Sequence, residues 1–321
     1  MSSLYYFLFS RAFDREHRGV VVGRRRYEAQ ERMLGAHRYL LRRNIHMLEK
    51  GLVMRPRRDV FAVDYIAPTV KCFRAMQELH AQMPELIDNE ELRWAAAVLG
   101  EYFSIAGSHP TIDKVRGWWD ELSPVHTNGL RTVPYHRDLD GAPPVRYEPL
   151  LRLAERRRSV RWFDARPVDR AVVDKALLVA AEAPSACNRQ PIEFRVFDAP
   201  EMVARIAAIP MGTRGFAHQF PAITVLVGKL SAFFSERDRH LIYIDGSLAA
   251  MSFILALESL GLSSVIINWP DVPSEERAMS RLLQLEPDER VVMLIAFGQP
   301  DPTGMVPASV KKTLDSFRRY D

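Results

Sequence analysis

The chain has 321 residues, 47% hydrophobic and 26% charged, with a formal net charge of +4. That composition excludes a disordered or low-complexity polymer and supplies core for one large or two ordinary domains. Its two cysteines, Cys72 and Cys187, lie far apart and outside any Cys-x-x-Cys or Cys/His spacing, which excludes a disulfide framework and a structural zinc site and points to a reducing, cytoplasmic setting.

The charge is unevenly spread. Residues 1–58 carry thirteen arginines and one lysine against five carboxylates, a net +9, which leaves −5 for the rest. Such a basic head suits an anionic substrate, a phosphorylated cofactor, a membrane surface or nucleic acid, and equally a solvated helix face. Leu4–Phe9 is apolar but too short for a leader, with no basic residues before it and no small-residue cleavage site after it.

Residues 1–20 show no clear period and read as a terminal arm or a short amphipathic anchor. From Arg24 to about Lys50 the spacing of Leu34, His37, Leu41, Ile45 and Leu48 predicts one helix stopped at Gly51. Asp64–Met83, Asn89–Ile105 and Thr111–Leu122 predict three more, so residues 1–124 read as a helical region. Residues 125–149, with Pro134, Pro143, Pro144 and little periodicity, read as a linker to a third segment, 150–321.

In that segment, Glu148–Arg158 and Asp169–Ala183 predict helices, Phe194–Phe197 and Ala222–Gly228 strands, and Asp238–Leu260 a long helix. Ser264–Trp269 and Arg290–Phe297 predict further strands, with a helix at Ser274–Leu283 opened by a Ser-x-x-Glu-like cap. The apolar stretch Ser247–Trp269 is interrupted by Glu258 and Gly261, so it reads as a buried helix running into a strand and not as a membrane span.

Two pieces look chemical. Arg157, Ser159 and Arg161 place two guanidinium forks and a hydroxyl within five residues, a set that suits a phosphate. If the helix continued, Arg157 and Arg161 would share a face. Lys311 and Lys312, after the last strand, offer a second cationic side. The turn Pro184–Pro191 crowds small residues, two amides and two prolines where a planar ligand can lie close to backbone. Asp245-Gly-Ser is not a nucleophile elbow, since no second glycine follows and its surroundings are helical. No Gly-x-Gly-x-x-Gly or phosphate-loop lysine occurs, so a nicotinamide would visit as a substrate.

Taken in order, Arg-Arg-Ser-Val-Arg-x-Phe, a helix, and Ala-Pro-Ser-Ala-x-Asn-x-Gln-Pro resemble the opening of the FMN-dependent nitroreductase family. Phe220–Val227, Asp245–Leu262, Val265–Pro270, Ala296–Pro300 and the Lys311 tail resemble its later landmarks. The likeness covers about residues 150–321, with residues 1–150 an extension. It implies an α+β fold, a central, mainly antiparallel sheet flanked by helices, in an intertwined homodimer with FMN at the interface.

By the same resemblance, Arg157, Ser159 and Arg161 hold the FMN phosphate and ribityl chain, with Lys311 on the far side. Pro184, Ser185 and Ala186 line one face of the ring system, Asn188 and Gln190 bond its polar edge, and Asn268 and Trp269 present main-chain N–H groups near N5 and O4. The loop Gly212–Phe216 approaches the cofactor as well. Two positions depart from the family pattern: Cys187 inside the turn is a small apolar filler or a reactive thiol, and Trp269 stands where a small residue is expected, so it narrows the pocket or stacks on a substrate.

The implied activity is transfer of hydride from NADH or NADPH to flavin N5, followed by reduction of a small-molecule acceptor, with positioning and flavin electrostatics in place of an acid–base residue. Alternatives are flavin chemistry without nicotinamide turnover, such as oxygen-dependent flavin cleavage or substrate dehydrogenation, and a non-catalytic flavin-binding partner protein. No nucleic acid is expected as a partner. Contact of residues 1–58 with a membrane surface or an anionic partner remains open at this point.

Overall fold

The computed structural model describes residues 2–33, 35, 37–122 and 132–321. Seven helices come first: α1 (Ser2–Leu8), α2 (Asp14–Met33), α3 (Arg38–Val53), α4 (Ile66–Gln82), α5 (Asn89–Ile105), α6 (Pro110–Asp120) and α7 (Tyr147–Arg156). Then follow α8 (Arg170–Ala181), β1 (Ile192–Phe197), α9 (Pro200–Ala207), β2 (Ala222–Lys229), α10 (Leu241–Ser259), β3 (Ser263–Ile267), α11 (Pro273–Leu283), β4 (Glu289–Gly298) and the short α12 (Leu314–Phe317).

Helices α3 to α6 bury one core of their own, with Leu41, Ile45, Leu48, Phe73, Leu99 and Tyr102 all fully buried. The single helix expected over Arg24–Lys50 is in fact two. Gly35 adopts a left-handed φ of 61°, which a glycine takes without a steric cost, and His37 restarts the helix by accepting the Leu40 N–H on Nδ1 at 3.2 Å. Leu34, counted in the expected stripe, lies outside the described residues. Gly51 does not end α3; it sits inside the last turn, where a Cβ would come within 2.3 Å of the Phe61 ring. Of residues 1–20, read as aperiodic, Ser2–Leu8 form α1 and residues 14–20 the start of α2. Of the expected linker 125–149, residues 125–131 lie outside the described residues and residues 132–146 are irregular.

The second core is built on one four-stranded sheet, in the order β1-β2-β4-β3, with every neighbouring pair antiparallel. Both faces are covered, which is why β2 and β4 read as unbroken apolar runs. Ile223, Val225 and Val227 pack on the face with Val203, Ile206 and Met279, while Ala222 and Leu226 pack on the face with Ala176, Phe253 and Leu257. A register shift between Leu226 and Val227 lets β4 change parity, so that Val291 and Leu294 share one face and Val292 and Ile295 the other. The fold is therefore α+β, with a helical extension.

Helix α10 lies at the centre of one face. The span Glu236–Ser259 is long and apolar enough to cross a membrane by length and composition alone, yet half of that window is buried inside the fold against α8 and the sheet. The expected Ser-x-x-Glu cap on α11 does not form: Pro273 takes the first helical position, Val272 is the N-cap, and Ser274 falls inside the helix.

Candidate functional site

Helix α7 stops at Arg156, so Arg157 and Arg161 do not share a helix face. Arg157 is already extended, with φ −56° and ψ 121°, and the chain continues as an edge segment along β3. Ser159 bridges Ser264 in parallel, and the Val160 N–H donates to the Ser264 carbonyl at 3.0 Å. In an extended segment side chains alternate, so residues 157, 159 and 161 share one side through a period of two, opposite Val160, which is buried in the sheet core. Arg157, Ser159 and Arg161 thus come together through an extended segment and not through a continued helix.

These side chains are only half-buried and lightly tied. Arg161 bonds the Ser159 carbonyl at 3.4 Å and lies with its guanidinium carbon 5.5 Å from the centre of the Phe216 ring, which brings the expected loop Gly212–Phe216 to the cluster. The Arg157 Nε is buried and has no hydrogen-bond partner. Lys311 lies on the exposed stretch after β4 and has no ion pair among the described residues.

The turn after α8 gathers more left-handed non-glycine residues than any other segment among the described residues. Cys187, Asn188 and Gln190 all have positive φ, at 52°, 50° and 50°. For residues with a Cβ this costs about 1 kcal/mol or more each, and persists only where surrounding contacts dictate it. Three contacts do so here. The Ala186 N–H donates to the Asp245 carboxylate at 3.1 and 3.3 Å, and the Gln190 N–H donates to the Ser185 hydroxyl at 3.0 Å. From the helical extension, the Arg42 Nε donates to the Asn188 carbonyl at 2.7 Å.

Pro184, Ser185 and Gln190 border a cleft of about 210 Å³ whose remaining wall is largely apolar, with Leu177, Ala180, Ile192, Phe194 and Ala249, and with Asp245 as its one ionisable group. Burial pushes the Asp245 carboxyl above the usual aspartate value, against the bond from Ala186 and the charge of Arg189, which lower it. The Asn188 side chain accepts from Gln190 Nε2 at 3.1 Å and is not part of that wall.

Asn268 is exposed just past the end of β3. Trp269 is 8% exposed and packs in the sheet core with Val160, Phe163 and Met279, its indole N–H donating to Glu276. Its ring therefore does not line an open pocket in this chain; the backbone turns it inward because an apolar slot against α11 and a carboxylate partner both lie there. Asp245, Arg42 and Arg189 were not singled out as site residues from sequence. Asp245 sits in an apolar helix 59 positions from its partner and Arg42 lies 146 positions away, separations that no local pattern reports.

The nitroreductase family model matches residues 154–214 and 209–299. A protein of Archaeoglobus fulgidus named as an NADH dehydrogenase/NAD(P)H nitroreductase is 31% identical over 157 residues, 48% of this chain and 86% of its own. Iodotyrosine deiodinase 1 of Rattus norvegicus is 24% identical over 200 residues, 53% of this chain and 69% of its own. Among solved structures, an FMN-dependent nitroreductase from Clostridium difficile R20291 aligns with 52% of this chain and 94% of its own, at 23% identity and a TM-score of 0.43. The matched part coincides with the sheet and its helices, and the family domain hit together with the Archaeoglobus relative makes the assignment: the chain belongs to the nitroreductase family.

Proposed function

We propose that this protein is an FMN-dependent oxidoreductase that takes NADH or NADPH as reductant, reduces a small-molecule acceptor and works as a homodimer. The observation that carries the reading is the unsatisfied Arg157. A buried guanidinium nitrogen without a partner is costly, and a phosphate brings both the acceptor atoms and the charge it lacks. Ser159 and Arg161 on the same side of the segment add a hydroxyl and a second fork. The donor set fits the phosphate of FMN, and the apolar cleft with polar groups at Ser185 and Gln190 fits a planar, heteroatom-edged ring.

When bound, FMN supplies the redox chemistry, accepting electrons as hydride from the nicotinamide and passing them to the acceptor. The residues of the chain bind and orient. Arg157 and Arg161 neutralise the phosphate, with Lys311 reaching it from the tail. Pro184 and Ser185 present a rigid wall whose shape Asp245 fixes through Ala186, and Gln190 offers its amide to a polar ring edge. Asn268 and Trp269 offer main-chain N–H groups beyond β3, where donors stabilise negative charge on a ring.

The dimer is supported by the surface of α10. Ile244, Leu248 and Met251 are 52%, 44% and 42% exposed and recur at four and three residues, a continuous apolar stripe beside the cleft helix. Leu248→Glu is expected to shift the protein to a monomer in size-exclusion chromatography and to lower its flavin content; an unchanged dimer would remove α10 from the interface.

Anaerobic mixing with NADH and with NADPH tests the activity. Loss of flavin absorbance with at least one is expected, and a flavin bleached by neither sinks the reductase reading. The relatives named iodotyrosine deiodinase favour one second reading, in which the acceptor is a halogenated aromatic. Iodide released from an iodinated phenol during turnover distinguishes it from reduction of a nitro group or quinone.

A further inference from the structure

A second cleft, of about 260 Å³, lies between α3 of the helical extension and the segment leaving the strained turn. Four of its lining residues are cationic: Arg38 and Arg42 from α3, Arg189 from the turn, and Lys229 from the end of β2. Three of them have carboxylate partners. Arg38 and Arg42 meet Glu91 at 2.7 and 3.4 Å, and Lys229 meets Glu193 at 2.7 Å and Glu289 at 3.5 Å.

Arg189 does not. It is 3% exposed, its side chain makes no hydrogen bond or ion pair among the described residues, and its Nε is buried without a partner. The Phe233 ring lies 5.0 Å from the guanidinium carbon, and the carboxylates of Asp238 and Asp245 act on it through charge without forming an ion pair. A cation held there stacks on an aromatic face below and has unused donors. The cleft also adjoins the candidate flavin cleft directly, since Gln190 and Ile192 line both.

We propose that this second cleft is an oxyanion-binding subsite. It takes the phosphate or carboxylate of a molecule whose other end reaches the Pro184–Gln190 cleft, with Arg189 as its principal ligand. Arg38, Tyr39 and Arg42 form its outer wall, and they lie outside the residues matched by the nitroreductase model. The helical extension thereby completes a binding site that the family domain alone leaves open, and it confers a preference for an anionic reaction partner. The identity of that partner rests on the flavin reading above; the anion site itself does not.

Inorganic pyrophosphate titrated calorimetrically into the full-length protein, purified with its cofactor and kept at low ionic strength, reads the site without turnover. Saturable binding is expected, weakened about tenfold or more by Arg189→Gln and partly restored by Arg189→Lys. No saturable binding, or equal affinity in a folded Arg189→Gln, overturns the proposal. If Arg189→Gln fails to fold, Arg38→Gln on the half-exposed rim decides, an unchanged affinity again overturning it.

Two kinetic arms separate the sources of the anion. A KM rise in Arg189→Gln for NADPH beyond that for NADH, alike for charged and uncharged acceptors, identifies the nicotinamide phosphate. A rise for 4-nitrobenzoate with none for nitrobenzene identifies an acidic acceptor. Equal behaviour in both arms overturns the subsite's part in the reaction. Pyrophosphate binding that depends on Arg189 in a protein without flavin turnover supports the anion site while sinking the oxidoreductase reading.

Discussion

In the proposed function Arg157 and Lys311 serve the same phosphate, but their surroundings predict different consequences. Arg157 is half-buried with an unpartnered Nε, whereas Lys311 is exposed on the stretch after β4. A desolvated, charge-assisted bond is worth about 1.5–3 kcal/mol, an exposed one about 0–1 kcal/mol. Arg157→Ala is therefore expected to weaken FMN about tenfold to a hundredfold in a fluorescence titration, and Lys311→Ala by less than about fivefold. Equal losses would show that the tail closes over the phosphate. At this scale the sequence showed a phosphate-compatible cluster but not the backbone geometry that gathers it. The cluster was legible because three phosphate-compatible side chains within five positions are uncommon. Its geometry was not, because the choice between a continued helix and an extended edge depends on a hydrogen bond to Ser264, more than a hundred positions away. Trp269 shows the same limit: position suggested a pocket, and a carboxylate on α11 took the ring into the core.

Among the elements, β2, β4, α5 and α10 stood out in the sequence because long apolar runs or a sustained period of 3.6 leave little ambiguity. The break between α2 and α3 did not, since Leu34, His37 and Leu41 continue the helical spacing straight across Gly35. What makes the break is a cap, and that cap titrates. His37 is fully buried beside Tyr27, with ring centres 4.1 Å apart, and its Nδ1 accepts from Leu40, a role only the unprotonated nitrogen can fill. Burial lowers its pKa from 6.5 to about 4. A folded-state value below the unfolded one means that unfolding takes up a proton. The stability contributed by His37 is thus fully present above pH 6.5 and lost as the pH falls toward about 4. At about 1.4 kcal/mol for each pH unit crossed, urea unfolding followed by tryptophan fluorescence is expected to lose on the order of 2 kcal/mol between neutral pH and pH 5. In His37→Asn, which keeps a capping oxygen and cannot titrate, that loss is expected to shrink by more than half. An equal slope in both proteins would assign the acid sensitivity to other groups.

Across the whole molecule, three arginines of the basic head reach carboxylates of the acidic body. Arg15 pairs with Asp271 at 2.5 Å, Arg24 with Glu236 at 2.9 Å, and Arg26 with Asp288 at 2.5 Å and with Glu286. The uneven charge was plain in the sequence, but the destination of each arginine was not, because every one of these pairs spans more than two hundred positions. Most are half-exposed and individually weak. What makes them collectively specific is the close approach of α2 to the turn after β2, and that approach depends on Gly23. A Cβ at Gly23 would lie 2.8 Å from the Leu230 carbonyl carbon, against backbone that cannot swing aside. In an isolated helix, Ala in place of Gly adds about 1 kcal/mol of stability. Here the opposite sign is expected, since the helix must lift away from Leu230 and lengthen the arginine contacts on either side of it. Gly23→Ala should lower the urea midpoint and expose the α1–α2 segment to limited proteolysis, with the sheet domain left intact and, under the proposed function, its flavin content unchanged. Because α3 also holds the Asn188 carbonyl through Arg42, a loss of flavin together with the release of α2 would mean that head and cofactor turn are coupled more tightly than the separate cores suggest. A gain in stability would place α2 farther from the sheet domain in solution than the 2.8 Å approach requires.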